Sequence, residues 1–417
     1  PKLFAKKANG RLLTPFDHMN SAPKPPSFPS RLPKVGTTIF TVMSALASEH
    51  QAINLGQGFP DFPCDRQLIA DVNEAMLADH NQYPPMIGVP NLRHGIANKI
   101  QQLYGHQYNP DSEITITAGG TQGILTTILA CVSPGDEVVI IEPAYDSYRP
   151  SIELAGGKVV AVSLEATRDG HGKVASYQIP WDALSKAIHA NTRLLIINTP
   201  HNPTGMVWQK SDLDRLADLL KNTSTLILSD EVYEHMVYDG ARHHSVASHP
   251  ELAARSFLIS SFGKTYHVTG WKVGYVAAPA PMSAEFRKVH QFNVFTVNTP
   301  MQFGLASYLE DASHYLNLPA FYQSKRDFFR NGLAKTKFKL LPTPGTYFQC
   351  VDYSGINIAQ AKLPEEEFCK WLTSAIGVAA IPVSAFYADM AESNVIRFCF
   401  AKEEATLNAA LQRLQSL

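Results

Sequence analysis

The sequence lacks an excess of charge of either sign, since its 417 residues carry 36 lysines and arginines against 37 aspartates and glutamates. Such a balance provides no basic field of the kind that nucleic acids select. The sequence also lacks any apolar run near the roughly 20 residues that a membrane-spanning helix needs. We therefore expect neither a nucleic acid nor a membrane as a partner.

Cysteine is scarce, and its spacing shows none of the pairs that are typical of metal sites. The five cysteines are Cys64, Cys131, Cys350, Cys369 and Cys399. An odd number of widely spaced cysteines indicates free thiols in a reducing compartment. We therefore predict no metal and a cytoplasmic location. Internal repeats are absent as well, which argues against a repeat architecture.

The length and the 45% hydrophobic content are sufficient for a large core and for two domains. Residues 1–18 bear no relation to the segment after them, and Met19 opens a plausible native start. We predict a non-native leader over residues 1–18, although the short basic stretch 3–7 leaves a targeting segment as the alternative. The proline-rich stretch 23–33 predicts an extended arm.

Continuous apolar runs alternate with helix-length amphipathic segments between about residue 64 and residue 314. The runs are 138–141, 159–162, 194–197, 225–228 and 273–277. Continuous rather than alternating apolar residues are typical of strands that helices cover on both faces. This pattern predicts an α/β domain with a mostly parallel sheet. From residue 315 to 417, helices at 321–335 and 365–374 and strands at 346–351 and 395–400 predict a smaller α+β domain.

One lysine stands at the end of a buried run. The segment 260–265 reads SSFGKT and follows the apolar residues 257–259, and Lys272 follows beyond a glycine. A lysine is costly to bury unless it is paired or neutralised. Lys264 is therefore suited to anchor an aldehyde cofactor covalently and to carry a proton, and Ser261 and Lys272 are suited to hold a phosphate. The alternative is a loop with two solvated lysines.

Three further polar motifs follow probable strands. Asp230 comes after the run 226–229, Asn202 lies in a segment that follows 194–197, and Gly119-Gly120-Thr121 follows 114–117. Open α/β sheets bind ligands at the carboxyl ends of their strands. With these motifs, residues 32–417 resemble the class I/II aminotransferases, which are pyridoxal-phosphate enzymes of fold type I. The chain is most similar to the branch that holds kynurenine aminotransferase, glutamine transaminase K and bacterial methionine aminotransferase.

The resemblance implies a particular architecture. The large cofactor-binding domain would be residues 64–314, with a seven-stranded, mostly parallel sheet in an α/β/α sandwich. Residues 19–63 would supply the N-terminal arm and part of the small domain, and residues 315–417 would supply the rest. Both ends of the chain would then contribute to one domain.

The resemblance also implies how pyridoxal 5'-phosphate is bound. Lys264 would hold the cofactor covalently, Asp230 would pair with its pyridine nitrogen, Tyr233 and Asn202 would donate to its 3-oxygen, and Tyr145 would stack on its ring. Lys264, Asp230 and Tyr233 would be the catalytic residues. The alternatives are a turn-capping aspartate for Asp230 and a core aromatic for Tyr145.

The phosphate has a predicted seat at a helix N-terminus, where amide groups and the helix dipole favour an anion. The residues expected there are Gly119, Gly120, Thr121, Ser261 and Lys272. The resemblance adds Tyr83, which would reach the phosphate across the interface of a homodimer with shared active sites.

The predicted substrate clamp is Arg397, a lone arginine in an apolar strand whose planar fork suits an α-carboxylate. A structural ion pair is the alternative. Gly58 and Asn202 would also bind substrate, and Phe40, Phe59 and Phe295 would line an apolar side-chain pocket. We assign the pair at positions 243 and 244, both histidines, to the surface.

The expected reaction is transamination of methionine and other apolar or aromatic amino acids with a 2-oxo acid acceptor, by ping-pong half-reactions through the pyridoxamine form. A kynurenine or glutamine aminotransferase with cysteine-conjugate β-lyase activity is the alternative. Phe295 and Thr296 stand where kynurenine-selective relatives can carry Phe-His, which weakens that alternative. A transcription regulator would need a helix-turn-helix domain, for which the segment before Phe40 is too short and proline-rich.

Overall fold

The computed structural model describes residues 28–417, so the leader predicted at residues 1–18 lies outside the described residues. Within the described part, residues 28–30 have no regular structure and residues 31–34 form a bend and a turn, whereas residues 35–417 belong to a compact unit of their own. No helix in this part of the chain is long and apolar enough to cross a membrane.

The strands are numbered in chain order. They are β1 (Ile53–Asn54), β2 (Ile114–Thr117), β3 (Glu137–Glu142), β4 (Lys158–Ser163), β5 (Glu165–Arg168), β6 (Val174–Gln178), β7 (Thr192–Asn198), β8 (Leu226–Asp230), β9 (Ser256–Ser261), β10 (Gly274–Ala277), β11 (Lys339–Leu340), β12 (Phe348–Asp352), β13 (Val378–Ala379), β14 (Ile381–Pro382) and β15 (Val395–Cys399).

The α-helices are numbered in the same way. They are α1 (Ile39–Glu49), α2 (Arg66–Leu77), α3 (Pro90–Tyr104), α4 (Gly120–Cys131), α5 (Tyr148–Ala155), α6 (Trp181–Ala187), α7 (Lys210–Leu220), α8 (Pro250–Ala253), α9 (Phe262–Thr265), α10 (Ala280–Asn293), α11 (Thr299–Leu309), α12 (Ser313–Leu316), α13 (Leu318–Leu333), α14 (Glu365–Trp371) and α15 (Glu404–Leu414).

The five continuous apolar runs, together with β2 and β9, form one seven-stranded sheet with the order β2-β10-β9-β8-β7-β3-β4. Strands β4, β3, β7, β8 and β9 pair in parallel, whereas β10 runs antiparallel to both of its neighbours, β2 and β9. The prediction of a mostly parallel sheet is confirmed. The one reversed strand could not be read from composition, because a buried antiparallel strand is as uniformly apolar as a parallel one.

Both faces of this sheet are covered. Along β7, Leu195 and Ile197 belong to one hydrophobic cluster, and Leu194 and Ile196 belong to another. Because successive strand residues point to opposite faces, two separate clusters mean two buried faces. This burial explains why the runs show no polar alternation, and it leaves the carboxyl ends of the strands as the open edge of the sheet.

A second, four-stranded antiparallel sheet has the order β11-β12-β15-β14. Strand β1, near the start of the described chain, pairs in parallel with β13, with Ile53 opposite Val378. Segments from both ends of the chain therefore lie together, and the domain boundaries at residues 64 and 315 stay a prediction. The helix predicted at 365–374 is α-helical only to Trp371 and continues as a π-helical turn over Leu372–Ile376.

Candidate active site

Most of the predicted site residues line one cleft at the carboxyl ends of β7, β8 and β9, with a volume of about 290 Å³. Those that the sequence predicted are Phe40, Gly58, Gly120, Thr121, Tyr145, Asn202, Asp230, Tyr233, Ser261, Lys264, Lys272 and Arg397. They come from segments far apart in the chain. The seven-stranded sheet gathers most of them because parallel strands present their carboxyl ends at one edge. Phe40 comes instead from α1, Gly58 from the loop after β1, and Arg397 from β15 of the second sheet.

Lys264 lies in the short helix α9, directly after β9. Its Nζ donates to the carbonyl oxygen of Gly58 at 3.0 Å and to the hydroxyl oxygen of Tyr347 at 2.9 Å. Burial lowers the pKa of the Lys264 amine to about 8. The amine therefore loses its proton closer to neutral pH than an ordinary lysine does, and an unprotonated amine is the form that attacks an aldehyde.

Asp230 ends β8 and is buried. Its Oδ2 accepts the hydroxyl proton of Tyr148 at 2.6 Å. Burial raises the pKa of this carboxyl to about 6, although the hydrogen bond from Tyr148 acts in the opposite direction. Within residues 28–417, no lysine or arginine forms an ion pair with Asp230. A buried carboxylate that has no cationic partner is suited to pair with a protonated ring nitrogen.

The phosphate seat lies where α4 begins. Gly119 precedes the helix with a φ of 79°, and a Cβ built on it would lie 3.2 Å from Nζ of Lys272. A side chain at this position would therefore be strained and would crowd the lysine. The first amides of a helix have no intrahelical partner and attract anions. Ser261 and Thr121 line the same end of the cleft.

These features fit pyridoxal phosphate. A reactive buried amine, an unpaired buried carboxylate and a helix N-terminus beside a lysine correspond to the aldehyde, the ring nitrogen and the phosphate. The hydroxyl of Tyr145 lies 3.4 Å from Oγ1 of Thr121, which places this aromatic ring next to the phosphate seat.

Arg397 lies on β15, and only 1% of its surface is exposed. Its Nη1 donates to Oδ1 of Asn202 at 2.6 Å, and its Nη2 donates to the carbonyl oxygen of Gly56 at 3.0 Å. The guanidinium stacks on Phe348, with 3.8 Å to the ring centroid. Burial lowers the pKa of Arg397. Both acceptors are neutral, so this cation has no counter-charge in direct contact within the described residues.

Several predicted residues lie outside the group that lines the cleft. Gly119 directly precedes the lining residue Gly120 and lies next to Lys272. Tyr83 is 81% exposed, and its ring meets Phe295 edge-on at 5.3 Å. Phe59 is also partly exposed and lies under the ammonium of Lys402. Within one chain, neither Tyr83 nor Phe295 reaches the cleft, and their roles stay predictions.

Several residues that the sequence did not predict also belong to this region. Those lining the cleft are Gln57, Ile124, Asp146, Asn198, Val232, Gly263, Thr269 and Phe348, while Tyr148 and Tyr347 contact its ionisable groups. The sequence could have indicated Asn198, because this residue ends a strand as Asp230 does. For Phe348 and Tyr347 the sequence offers only a weak indication, the glycine turn that precedes β12.

Comparison with known proteins identifies the relatives of this chain. The family model for aminotransferase class I and II matches residues 50–414. Methionine aminotransferase of Escherichia coli strain K12 is 49% identical over 389 residues, covering 93% of this chain and 98% of the relative. Human kynurenine–oxoglutarate transaminase 1 is 36% identical over 393 residues, covering 89% and 93%.

Two solved aminotransferase structures superpose closely on this chain. A crystal structure from Escherichia coli, described as identifying a methionine aminotransferase function, superposes with a TM-score of 0.90 at 48% identity. It covers 94% of this chain and 100% of the other. N-succinyldiaminopimelate aminotransferase from Mycobacterium tuberculosis superposes with a TM-score of 0.87 at 37% identity, with the same coverage.

Proposed function

The chain belongs to the class I and II aminotransferases, and from that premise we propose that it transaminates methionine and other apolar or aromatic amino acids with a 2-oxo acid as acceptor. It is a pyridoxal-phosphate-dependent enzyme. The similarity to methionine aminotransferase, at 49% identity over nearly the whole chain, supports methionine as the preferred donor.

The observation that carries this proposal is the composition of the cleft. Its lysines and arginine, among the described residues, are Lys264, Lys272 and Arg397. The two lysines are assigned to the cofactor, so one cation is left for the substrate. That cation lies among the rings of Phe40, Phe348 and Phe386, at 5.5, 3.8 and 5.1 Å from their centroids. Such a site suits one carboxylate next to an apolar side chain.

The cofactor side of the cleft performs the proton chemistry. Bound pyridoxal phosphate supplies an electron-withdrawing ring that stabilises negative charge at the substrate α-carbon. Asp230 would hold the ring nitrogen in its protonated form, which would strengthen that withdrawal. Tyr233 and Asn202 would orient the ring through its 3-oxygen. The helix N-terminus at Gly120, together with Ser261 and Lys272, would hold the phosphate.

The substrate side of the cleft positions the amino acid. Arg397 binds the α-carboxylate, and Asn202, already within 2.6 Å of it, orients the guanidinium. The amine of Lys264, once free, would take the proton from the substrate α-carbon and would deliver it to the carbon that carried the cofactor's aldehyde group. Its pKa near 8 suits this exchange, because a base works best when its pKa lies near the working pH.

A panel of amino donors tests the proposed specificity. Methionine and aromatic donors are expected to have kcat/KM values well above that of aspartate, by about a hundredfold or more, because burying a second carboxylate without a partner costs several kcal/mol. Methionine fits an aromatic wall through its flexible, polarizable thioether. Aspartate as the best donor would contradict this assignment of the cleft.

A kynurenine or glutamine aminotransferase with cysteine-conjugate β-lyase activity is the second candidate. The human relative at 36% identity supports it less well than the bacterial one supports methionine. Release of pyruvate and ammonia from a cysteine conjugate, at a rate comparable to methionine transamination, would favour this candidate.

We also propose a cytoplasmic homodimer with shared active sites. Tyr83 supports the dimer, because its exposed ring stands beside Phe295 and away from the cleft of its own chain. The five free cysteines support a reducing compartment. Mixing an inactive Tyr83 variant with Lys264→Ala should restore part of the activity through hybrid dimers, and a fully active monomer in sedimentation would contradict shared sites.

A further inference from the structure

Tyr347 contacts Lys264 although no sequence motif connects the two. It stands immediately before β12, a strand of the second sheet, and its ring is fully buried. Its hydroxyl donates to the carbonyl oxygen of Gly58 at 2.5 Å and accepts from Nζ of Lys264 at 2.9 Å. Lys264 donates to the same carbonyl at 3.0 Å. Three segments of the chain therefore meet at one triangle of hydrogen bonds.

The direction of these bonds defines what the tyrosine can do. A phenol has one proton and can also accept. Since the proton of Tyr347 is used on Gly58, its oxygen faces the lysine as an acceptor. Burial raises the pKa of Tyr347 well above its ordinary value, so the phenol keeps its proton. Tyr347 therefore orients the amine of Lys264 and does not itself exchange a proton with the substrate.

The second acceptor in the triangle belongs to a loop that lines the cleft. Gly58 packs closely against the aromatic pair at the start of β12, since a Cβ built on it would lie 2.9 Å from Cζ of Phe348 and 3.8 Å from Cε2 of Tyr347. The carbonyl of Gly58 is thus held in place by close packing. An amine bound to two fixed acceptors has a defined direction even when it is not bound to the cofactor.

We propose that Tyr347 is a positioning residue of the reaction, whose hydroxyl, held by the carbonyl of Gly58, keeps the free amine of Lys264 in one orientation for proton transfer. This inference rests on the proposed function in one respect, the role of Lys264. When the amine of Lys264 is not bound to the cofactor, it would rest between the hydroxyl of Tyr347 and the carbonyl of Gly58.

A purely structural role for Tyr347 is the competing explanation, since its ring meets those of Tyr233, Phe348 and Tyr322 at 5.2, 4.9 and 5.8 Å. The substitution Tyr347→Phe keeps that ring packing and removes only the hydroxyl. Tyr322→Phe is the matched control. Tyr322 is equally buried in the same aromatic cluster, and its hydroxyl has no hydrogen-bond partner within the described residues.

The first measurement uses the holoenzyme. Tyr347→Phe is expected to lower kcat for methionine by about tenfold to a hundredfold, the usual effect of losing one hydrogen bond to a charged or charging group, with little change in KM. The kinetic isotope effect with α-deuterated methionine should rise, because proton transfer becomes slower. Tyr322→Phe should resemble the wild type in all three quantities.

The second measurement needs no substrate. In the cofactor-free protein, the rate of acetylation of Lys264 by acetic anhydride is followed against pH by peptide mass analysis. Removing an acceptor disfavours the protonated amine. The midpoint of the labelling curve is therefore expected to move down by about one pH unit in Tyr347→Phe and to stay unchanged in Tyr322→Phe.

The two measurements separate this inference from the proposed function. If methionine proves to be the wrong donor, the labelling experiment still decides. A lowered midpoint in Tyr347→Phe alone supports the positioning role. An unchanged midpoint, or an equal shift in Tyr322→Phe, overturns it. A normal kcat and a normal isotope effect in Tyr347→Phe, measured with whichever donor is best, would overturn it as well.

Discussion

Two groups of buried charges include a residue from the end of β8 or from the turn that follows it. They differ in whether the charges are paired within the protein. The cleft cluster consists of Asp230, Lys264 and Arg397, which form no ion pairs within the described residues. The far-side cluster consists of Lys99, Tyr104, Glu234, His235 and Ser260. There, Glu234 accepts from Lys99, Tyr104 and Ser260, each at 2.6 Å.

The contrast appears in the pKa shifts. In the cleft cluster, burial dominates and moves both Asp230 and Lys264 toward their neutral forms. In the far-side cluster, burial acts to raise the pKa of Glu234, but Lys99 and its other partners hold that pKa well below its ordinary value. Charges left without partners in the cleft are available to ligands. The charges of the far-side cluster are already paired within the protein and are not available in this way.

The far-side cluster should show the largest effect on stability. Glu234→Gln leaves Lys99 buried without a carboxylate, and the free energy of unfolding is expected to fall by about 3–5 kcal/mol. Chemical denaturation measures this change. Asp214→Asn is the control, because its pair with Lys210 is solvent-exposed and should contribute little. Equal losses in the two variants would contradict the contrast between the clusters.

The cleft cluster should respond in the opposite direction. Asp230→Asn removes a charge that burial disfavours, so the cofactor-free protein should become more stable by about 3 kcal/mol at pH 8, as a shift of roughly two pKa units implies. The gain should fall to about half at pH 5 and vanish below pH 3.8, where the carboxyl is protonated in both the folded and the unfolded state.

The same substitution should impair the enzyme while it stabilises the protein. Transamination is expected to slow by about tenfold to a hundredfold, because the loss of a charged contact is worth about 1.5–3 kcal/mol. Denaturation curves at several pH values and half-reaction rates provide the measurements. An Asp230→Asn protein that is less stable than the wild type at pH 8 would contradict the contrast between the two clusters. A normal half-reaction rate would contradict the role of Asp230 at the ring nitrogen.

The effect at Arg397 should be of the same size as the loss of activity expected of Asp230→Asn. Arg397→Lys keeps the charge but loses the planar fork, and kcat/KM is expected to fall by about tenfold to a hundredfold, equal to about 1.5–3 kcal/mol. The loss should be similar for methionine, phenylalanine and leucine, because each carries the same α-carboxylate. A loss confined to one donor would instead place Arg397 next to the side chain.

Much of this site was predictable because its residues follow strands. Asp230, Asn202 and Lys264 each come after a recognisable apolar run, and the sheet brings those run ends together. Phe348 begins β12 in the second sheet, and Tyr347 directly precedes it. Both were missed because no local pattern describes where that sheet lies relative to the first. Phe295 shows the opposite case, since it was predicted to line the pocket and lies at 41% exposure beside Tyr83 in a single chain.

The histidines after the turn show the same limit of local patterns. Position 243 was assigned to the surface, but the structure buries the side chain of His243, and its Nε2 lies 2.8 Å from Oε2 of Glu231. That assignment was wrong. Two consecutive histidines in a polar segment look solvated in sequence, and only the packing around Glu231 makes one of them a buried partner.

The sequence by itself determined the family, the mostly parallel sheet and the motifs that follow its strands, because hydrophobic runs and turn residues act over a few positions. The tertiary structure decided which charges are paired. Glu234 meets Lys99 across 135 residues, and Lys264 meets Gly58 across 206. Such contacts depend on how whole elements pack, so whether a buried charge is neutralised or left for a ligand becomes visible only in the folded chain.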